Sequence, residues 1–356
     1  MISVHKNDRD RPEANMDIAS MYPEEVKELM ISLGEKPFRA GQIFSWIHEK
    51  GAGSYDEMTN LSKNLREKLK TEYPLVTLEE KECLVSKEDE ARKYLFQLPD
   101  GNVVESVWMK YSYGNSVCIS SQVGCAMGCT FCASTIGGKV RDLTASEMLG
   151  QIYEITRLTG ERVDNVVVMG IGEPMDNYDN IVRFIRILSH PNGLNLSQRS
   201  ITVSTCGLVP KIYEFAKEKL AVTLAISLHA YDDETRKALM PVAKAYSIDE
   251  LLAAAKEYYS STGRRVTFEY ALVSGKNDSE KGAEKLAALL KGFPCHVNLI
   301  RVNTVKESGY ARPSYEQTVK FQNKLEKCGI NVTIRRSIGM DINGACGQLR
   351  KGYIGQ

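Results

Sequence analysis

The spacing of apolar residues changes near residue 115, dividing the chain into two regimes. Between Tyr22 and Tyr73 the apolar positions recur at helical spacing. Pro23-Glu24-Glu25 opens one helix, with Leu29 and Leu33 on its apolar side and Gly34 at its end. Proline suits a first helical turn and glycine the left-handed turn that closes one. Phe38, Ile43, Phe44 and Ile47 form a second stripe that stops at Gly51, and Leu61, Leu65 and Leu69 form a third. Residues 75–110 alternate like strands, and Pro99-Asp100-Gly101 predicts a hairpin turn. The pattern predicts a polar arm over residues 1–20, then a helical accessory domain with a connecting hairpin over 21–95.

Beyond residue 115, short β-rich runs alternate with amphipathic stretches. Strands are expected at 117–120, 165–170, 200–205, 221–227, 266–272 and 296–301. Helices are expected at 145–158, 178–188, 209–219, 248–260 and 281–291, with a short one near 233–239. Thr144-x-x-Glu147 has the form of a capping box. Six β/α units in succession imply a parallel sheet with covering helices, and six in place of eight imply a partial barrel, placed at 96–310. Right-handed crossovers gather the C-terminal strand ends at one rim, where functional loops collect. A helix at 314–327 and a strand at 331–336 are expected within a C-terminal extension, 311–356.

With 356 residues, 43% hydrophobic and 26% charged, the chain suits one large domain plus a small one and excludes fibrous or disordered classes. The net charge of +1 leaves nucleic-acid binding to local patches. Lys63, Arg66, Lys68 and Lys70 form one basic run, and Arg335-Arg336 another; such runs read first as solvated helix faces or strand ends. No stretch approaches the ~20 apolar residues that span a bilayer. The first 20 residues lack an apolar core, so a cytoplasmic location without membrane contact is expected. Nine cysteines in such a chain point to metal or redox chemistry rather than a disulfide framework.

Three of those cysteines, Cys125, Cys129 and Cys132, stand as C-x3-C-x2-C in "SSQVGCAMGCTFCASTIGG", just after the first barrel strand. Three thiolates so close can hold three corners of a cubane, leaving one iron without a protein ligand. Structural zinc takes four ligands, commonly as two paired C-x-x-C or C/H units, and no such fourth ligand lies nearby; none of the five histidines is close. Gly124, Gly128 and Gly137-Gly138 let backbone approach a cofactor, and Phe131 can shield it from water.

C-x3-C-x2-C with an aromatic before the last cysteine resembles the motif of the radical S-adenosylmethionine (SAM) superfamily, and "VVVMGIGEP" resembles that superfamily's GGEP-type element. Together, "VCISSQVGCAMGCTFCAS", "MGIGEPMDN", "LAISLHA", "HVNLI" and "DINGACGQL" resemble the RlmN family over about residues 20–350. The resemblance implies a partial (β/α)6 radical SAM barrel and a radical SAM RNA methyltransferase. Its product would be the C2-methyl form of adenine 2503 in 23S rRNA and of adenine 37 in some tRNAs. It implies a [4Fe–4S] cluster on Cys125, Cys129 and Cys132, and two SAM molecules per turnover. SAM contacts are implied at Gly172, Glu173, Ser204, Ser227, Leu228, His229 and Asn303, each at or just after a predicted strand end.

The resemblance further implies that Cys346 is methylated as an S-methylcysteine, that Cys118 resolves the RNA adduct through a transient disulfide with Cys346, and that Glu105 accepts the C2 proton. Read alone, Cys118 and Cys346 are small packed residues, and Glu105 is a solvent-facing strand position. Cys83, Cys206, Cys295 and Cys328 read as structural. An electron donor such as flavodoxin or ferredoxin is implied, and a monomer is expected. Lys36, Arg39, Lys63, Arg66 and Lys68 are candidate phosphate contacts. Two other readings stand beside this one: a related Cfr-type enzyme that methylates C8 of the same adenine, and a non-catalytic RNA-binding module with a structural metal. Pro174, where the C8 enzymes carry alanine, favours C2.

Overall fold

A computed structural model describes residues 17–303, 305 and 307–350. Three helices, α1 (Pro23–Ser32), α2 (Arg39–His48) and α3 (Lys63–Glu72), form the N-terminal unit. Val26, Met30, Ile43, Ile47, Leu61, Leu65 and Leu69 make its core. Residues 1–16 of the expected arm lie outside the described residues. Asp17–Ser20 are not a loose arm: they form a capped turn in which Ile18 is fully buried.

Four antiparallel strands follow: β1 (Glu79–Val85), β2 (Arg92–Gln97), β3 (Val103–Tyr111) and β4 (Gly114–Cys118). The expected turn joins β2 to β3, with Gly101 at φ +84°. β2 runs straight through residue 95, so the boundary expected there falls inside a strand; the accessory unit ends after α3. Alternation announces a strand but not its partner, and these strands extend the main sheet. A two-stranded ribbon, β5 (Gln122–Val123) with β6 (Arg141–Asp142), closes the base of the cysteine loop.

The alternating units are α4 (Ala145–Thr159), β7 (Asn165–Val168), α5 (Tyr178–Leu188), β8 (Ile201–Thr205), α6 (Val209–Lys217), β9 (Thr223–Ser227), α7 (Asp233–Leu239), α8 (Ile248–Thr262), β10 (Val266–Leu272), α9 (Glu280–Leu290), β11 (Cys295–Arg301), α10 (Tyr315–Lys327) and β12 (Val332–Ile334). All six expected barrel strands are present. Thr144 and Glu147 cap α4 reciprocally, and Gly160 ends it in the left-handed region.

The ten-stranded sheet runs β1-β2-β3-β4-β7-β8-β9-β10-β11-β12, parallel from β4 onward. β12 therefore adds a seventh parallel strand, and the expected extension is in part a continuation of the barrel sheet. Helices cover the outer face of the parallel strands; β10 is buried at all seven positions, while β7, β8 and β11 alternate buried with half-buried residues. The accessory unit docks on the barrel helices: Ser146 donates to Asp17 and Ser20, Arg183 pairs with Glu25, and His48 meets Tyr153 at 2.8 Å. No helix among the described residues is long and apolar enough to cross a membrane.

Candidate functional site

The strand ends and the cysteine loop enclose one cavity. Its wall carries Cys125, Cys129 and Cys132 from the loop, Glu173 beyond β7, Ser204 on β8, Ser227 ending β9, and Asn303 beyond β11. Gly124 explains how the loop folds. It sits at φ +75°, and a Cβ there would lie 1.9 Å from the Gly138 carbonyl oxygen. Gly172 is equally constrained at φ +114°, where a Cβ would come within 2.7 Å of Gln122 and Ser121. The "GIGEP" turn can therefore press against the start of the cysteine loop.

Burial pushes the Cys125 thiol up to about 12 and pushes Cys129 and Cys132 upward too. Charge on one of the three raises its neighbours further. Three thiolates would not coexist here without cationic charge between them, which is the chemistry an iron–sulfur cluster supplies. Among the described residues no three His, Cys, Asp or Glu side chains converge on the position of a single ion. A cubane binds its thiolates at separate corners, and three cysteines on one cavity wall suit that arrangement.

Glu173 is buried and held at both oxygens. Oε1 accepts from the Met175 amide at 3.0 Å and Oε2 from the Cys206 amide at 2.7 Å. Burial raises its carboxyl, against those two bonds. His229, at φ +56°, accepts a 2.9 Å bond at Nδ1 from the Ala271 amide, which places its ring proton on Nε2. Burial, then the charge of Arg236, lowers it to about 3, so it is neutral. The Phe131 ring meets it edge-on at 4.9 Å. Asn303 donates from Nδ2 to the Cys346 carbonyl at 2.9 Å, while its buried Oδ1 has no partner among the described residues. That unused acceptor could take a hydrogen bond from a donor such as a ribose hydroxyl or an ammonium. Leu228 alone of the implied SAM positions is absent from the cavity wall: its side chain joins the main core.

A second cavity adjoins the first. Cys118, Met169, Asn303, Arg335, Cys346 and Leu349 line it, and Cys346 belongs to both walls. The tail carrying Cys346 is tied to the cysteine loop: the Ala133 amide donates to Gly347 O at 2.8 Å and Ser134 Oγ to Leu349 O at 2.9 Å. Cys118 and Cys346 are both free thiols, so no disulfide joins them. Burial pushes Cys118 up to about 12, and charge on Cys346 raises it further. Glu105 is not solvent-facing. It is 1% exposed, beneath the tail, and lies on neither cavity wall among the described residues.

Three residues gained significance only in the fold. Arg336's neighbour Arg335 lines both cavities, and charge on Cys346 is the largest influence raising it. Arg236 of α7 is fully buried and donates to the carbonyls of Cys206, Ser227 and Leu228, gathering two strand ends. Cys206, expected as core, is on the first cavity wall. The run Arg335-Arg336 was the sole signal, and it read as a strand end.

Comparison with known proteins agrees with this geometry. Residues 16–74 match the profile of the ribosomal RNA large subunit methyltransferase N-terminal domain, and residues 119–290 match that of the radical SAM superfamily. A "Probable dual-specificity RNA methyltransferase RlmN" of Lachnospira eligens is 60% identical over 338 residues, covering 95% of this chain and 97% of its own length. A protein of the same description from Alkaliphilus oremlandii is 52% identical over 339 residues, covering 95% and 98%. The crystal structure of a radical SAM methyltransferase from Sphaerobacter thermophilus superposes with a TM-score of 0.90 at 44% identity, covering 94% of this chain and 99% of that one.

Proposed function

The chain belongs to the RlmN family of dual-specificity radical SAM RNA methyltransferases, and we propose that it methylates C2 of adenine 2503 in 23S rRNA and of adenine 37 in some tRNAs. Membership makes it an enzyme acting on RNA and implies a [4Fe–4S] cluster and SAM. The observation that carries the finer reading is the shared wall: Cys346 lies on the cavity of the three cluster cysteines and also on the cavity of Cys118.

Cys125, Cys129 and Cys132 hold the cluster, and Gly172, Glu173, Ser204, Ser227, His229 and Asn303 hold SAM. Leu228 supports the rim from the core, its amide bonded to the Glu269 carbonyl and its carbonyl to Arg236. The bound cluster supplies one-electron reductive cleavage of SAM, which opens radical chemistry at an adenine carbon that has no useful acidity. Each turnover uses two SAM molecules. Cys346 takes the methyl group of one as a thiolate nucleophile and carries it as S-methylcysteine. Phe131 and the docked tail keep water from the cavity. After loss of one hydrogen atom the S-methyl carbon bonds adenine C2 and tethers the RNA to Cys346 through a methylene bridge. Glu105 receives the C2 proton. Cys118 then attacks Cys346 Sγ, breaking the S–CH2 bond, giving its proton to the freed carbon and leaving a transient disulfide that cytosolic thiols reduce, while the surplus electron would return to the cluster. The enzyme works as a cytoplasmic monomer supplied by a flavodoxin- or ferredoxin-class donor.

Mass spectrometry of nucleosides from treated 23S rRNA and tRNA fragments tests the regiochemistry. The expected product is 2-methyladenosine from both substrates. 8-Methyladenosine would overturn the reading in favour of the C8 chemistry.

The N-terminal unit is proposed to contact RNA phosphate. Arg39, Arg66 and Lys68 already donate within the unit, to Asn60, Asp56 and Leu33 carbonyls respectively. Lys36 and Lys63 are exposed. The double change Lys36→Glu and Lys63→Glu is therefore expected to weaken binding to an rRNA fragment and to lower the slope of log affinity against log salt by about 2. Fluorescence anisotropy across a salt series reads both, and an unchanged slope removes these lysines from the interface.

A further inference from the structure

Lys93 is the second residue of β2 and is 2% exposed. Its neighbours Tyr94, Leu95 and Phe96 are buried, so nothing in the apolar pattern calls for a charge there. A buried ammonium is retained only when paired. The register pairs Lys93 with Val107 and Leu95 with Glu105, so these side chains share one face of the sheet. Val107 pairs in turn with Cys118 on β4. On that face Lys93 Nζ lies 3.1 Å from Glu105 Oε1 and donates to the Asn343 carbonyl of the tail at 3.5 Å. Glu105 Oε2 accepts from the Arg350 amide at 2.8 Å. One carboxylate oxygen thus belongs to a cation and the other to the backbone of the segment carrying Cys346.

We propose that Lys93 is a positioning residue of the methylation reaction, holding Glu105 as an ionised base beneath the tail until the Arg350 amide withdraws and frees Oε2 for the adenine C2 proton. The inference rests on Glu105 being the proton acceptor. In that step the C2–H bond breaks, the proton passes to Oε2, and the bond's electron pair stays on the adduct ring. The Lys93 charge favours the ionised state to which Glu105 returns.

The charged surroundings fix the expected pH dependence. Burial raises the Glu105 carboxyl, and Lys93 from β2 and Arg350 from the tail oppose that rise. Cys118 from β4 is an uncharged thiol near neutrality. Gln151 from α4, on the far side against Ser106, is neutral. A base must be ionised to act, so turnover falls as pH drops through the Glu105 value. Removing the Lys93 charge raises that value and moves the acid limb to higher pH. A purely structural ion pair would lower thermal stability and leave the limb in place.

The test is the pH profile of C2 methylation by the reconstituted holoenzyme, for wild type, Lys93→Arg, Lys93→Met and Glu105→Gln. Lys93→Arg is expected to keep the wild-type limb. Lys93→Met should lose at least about tenfold in rate below neutral pH and recover as pH rises. Lys93→Gln carries the same expectation should the methionine variant not fold. Infrared titration of the Glu105 carboxyl, taken as the difference between each protein and its Glu105→Gln counterpart, reads the same shift without turnover. An inactive Glu105→Gln enzyme with an unmoved limb in the neutral variants overturns the role of Lys93. Full turnover by Glu105→Gln overturns instead the role of Glu105 on which it rests.

Discussion

Cys129→Ala protein, reconstituted anaerobically, is expected to be colourless, to retain no cubane iron and to cleave SAM only at background level. Cys129 sits almost fully buried on the cavity wall between Met127, Phe131 and Met240. Alanine there leaves two thiols for a cluster that needs three from this loop. The fold itself should survive, because removing one buried sulfur costs about 1–2 kcal/mol and a melting temperature a few degrees lower. Cys125→Ala and Cys132→Ala carry the same expectation, since in the proposed scheme each provides one corner of the cluster. Cys206→Ala is the informative control. Cys206 lines the same cavity and is buried, yet its thiol is no ligand in the proposed scheme, and its amide, which holds Glu173, survives the change. It should keep its iron. Iron and sulfide analysis beside 5′-deoxyadenosine formation reads both variants. A triple-alanine protein retaining full iron and SAM cleavage would sink the cluster assignment.

The parallel half of the fold was legible because its signals are local and repeated. Each strand is a short β-branched run, each helix has an apolar stripe, and caps such as Thr144/Glu147 and Gly160 punctuate them. Partnership was not legible. The alternation of residues 79–111 announces strands but cannot say that β1–β4 extend the barrel sheet, so the boundary at 95 fell within β2. The last helix and strand looked like an appendage for the same reason, although β12 pairs with β11. In the site, the three cysteines that share the cavity wall stood out by spacing alone, because all three fall within one loop. Cys118 and Cys346 are 228 residues apart in number, and only the resemblance to the family joined them. Glu105 read as surface because strand alternation ignores what a C-terminal tail later covers. The roles of Arg236 and Arg335 were hidden for a related reason. Arg236 bonds carbonyls from two strand ends and Arg335 faces the sulfur of a distant segment, and nothing local to either residue records that.

Cys346→Ala and Cys118→Ala are expected to fail at different steps. Neither is a cluster ligand in the proposed scheme, so both variants should load iron normally. Without Cys346 there is no methyl carrier, and no RNA adduct should form. Without Cys118 the earlier steps proceed, and the RNA should remain attached to Cys346 through its methylene bridge. Denaturing gel electrophoresis with labelled RNA separates the outcomes as no shifted band against an accumulating one. The fold supports this pairing: Val107 places Cys118 on the tail-facing side of β4, where Ile338 and Leu349 cover it, and Cys346 opens onto the same cavity. Asn303, holding the Cys346 carbonyl, fixes the tail close to that thiol. Release of the RNA in the wild type should also depend on pH. Burial sets Cys118 at about 12, so its attacking thiolate is scarce near neutrality. Adduct decay should accelerate by about tenfold per pH unit on the alkaline side of neutral until another step limits it. If both cysteines were merely packed side chains, each alanine variant would be mildly destabilised and would still turn over. A Cys118→Ala enzyme with wild-type turnover and no adduct would remove it from the reaction.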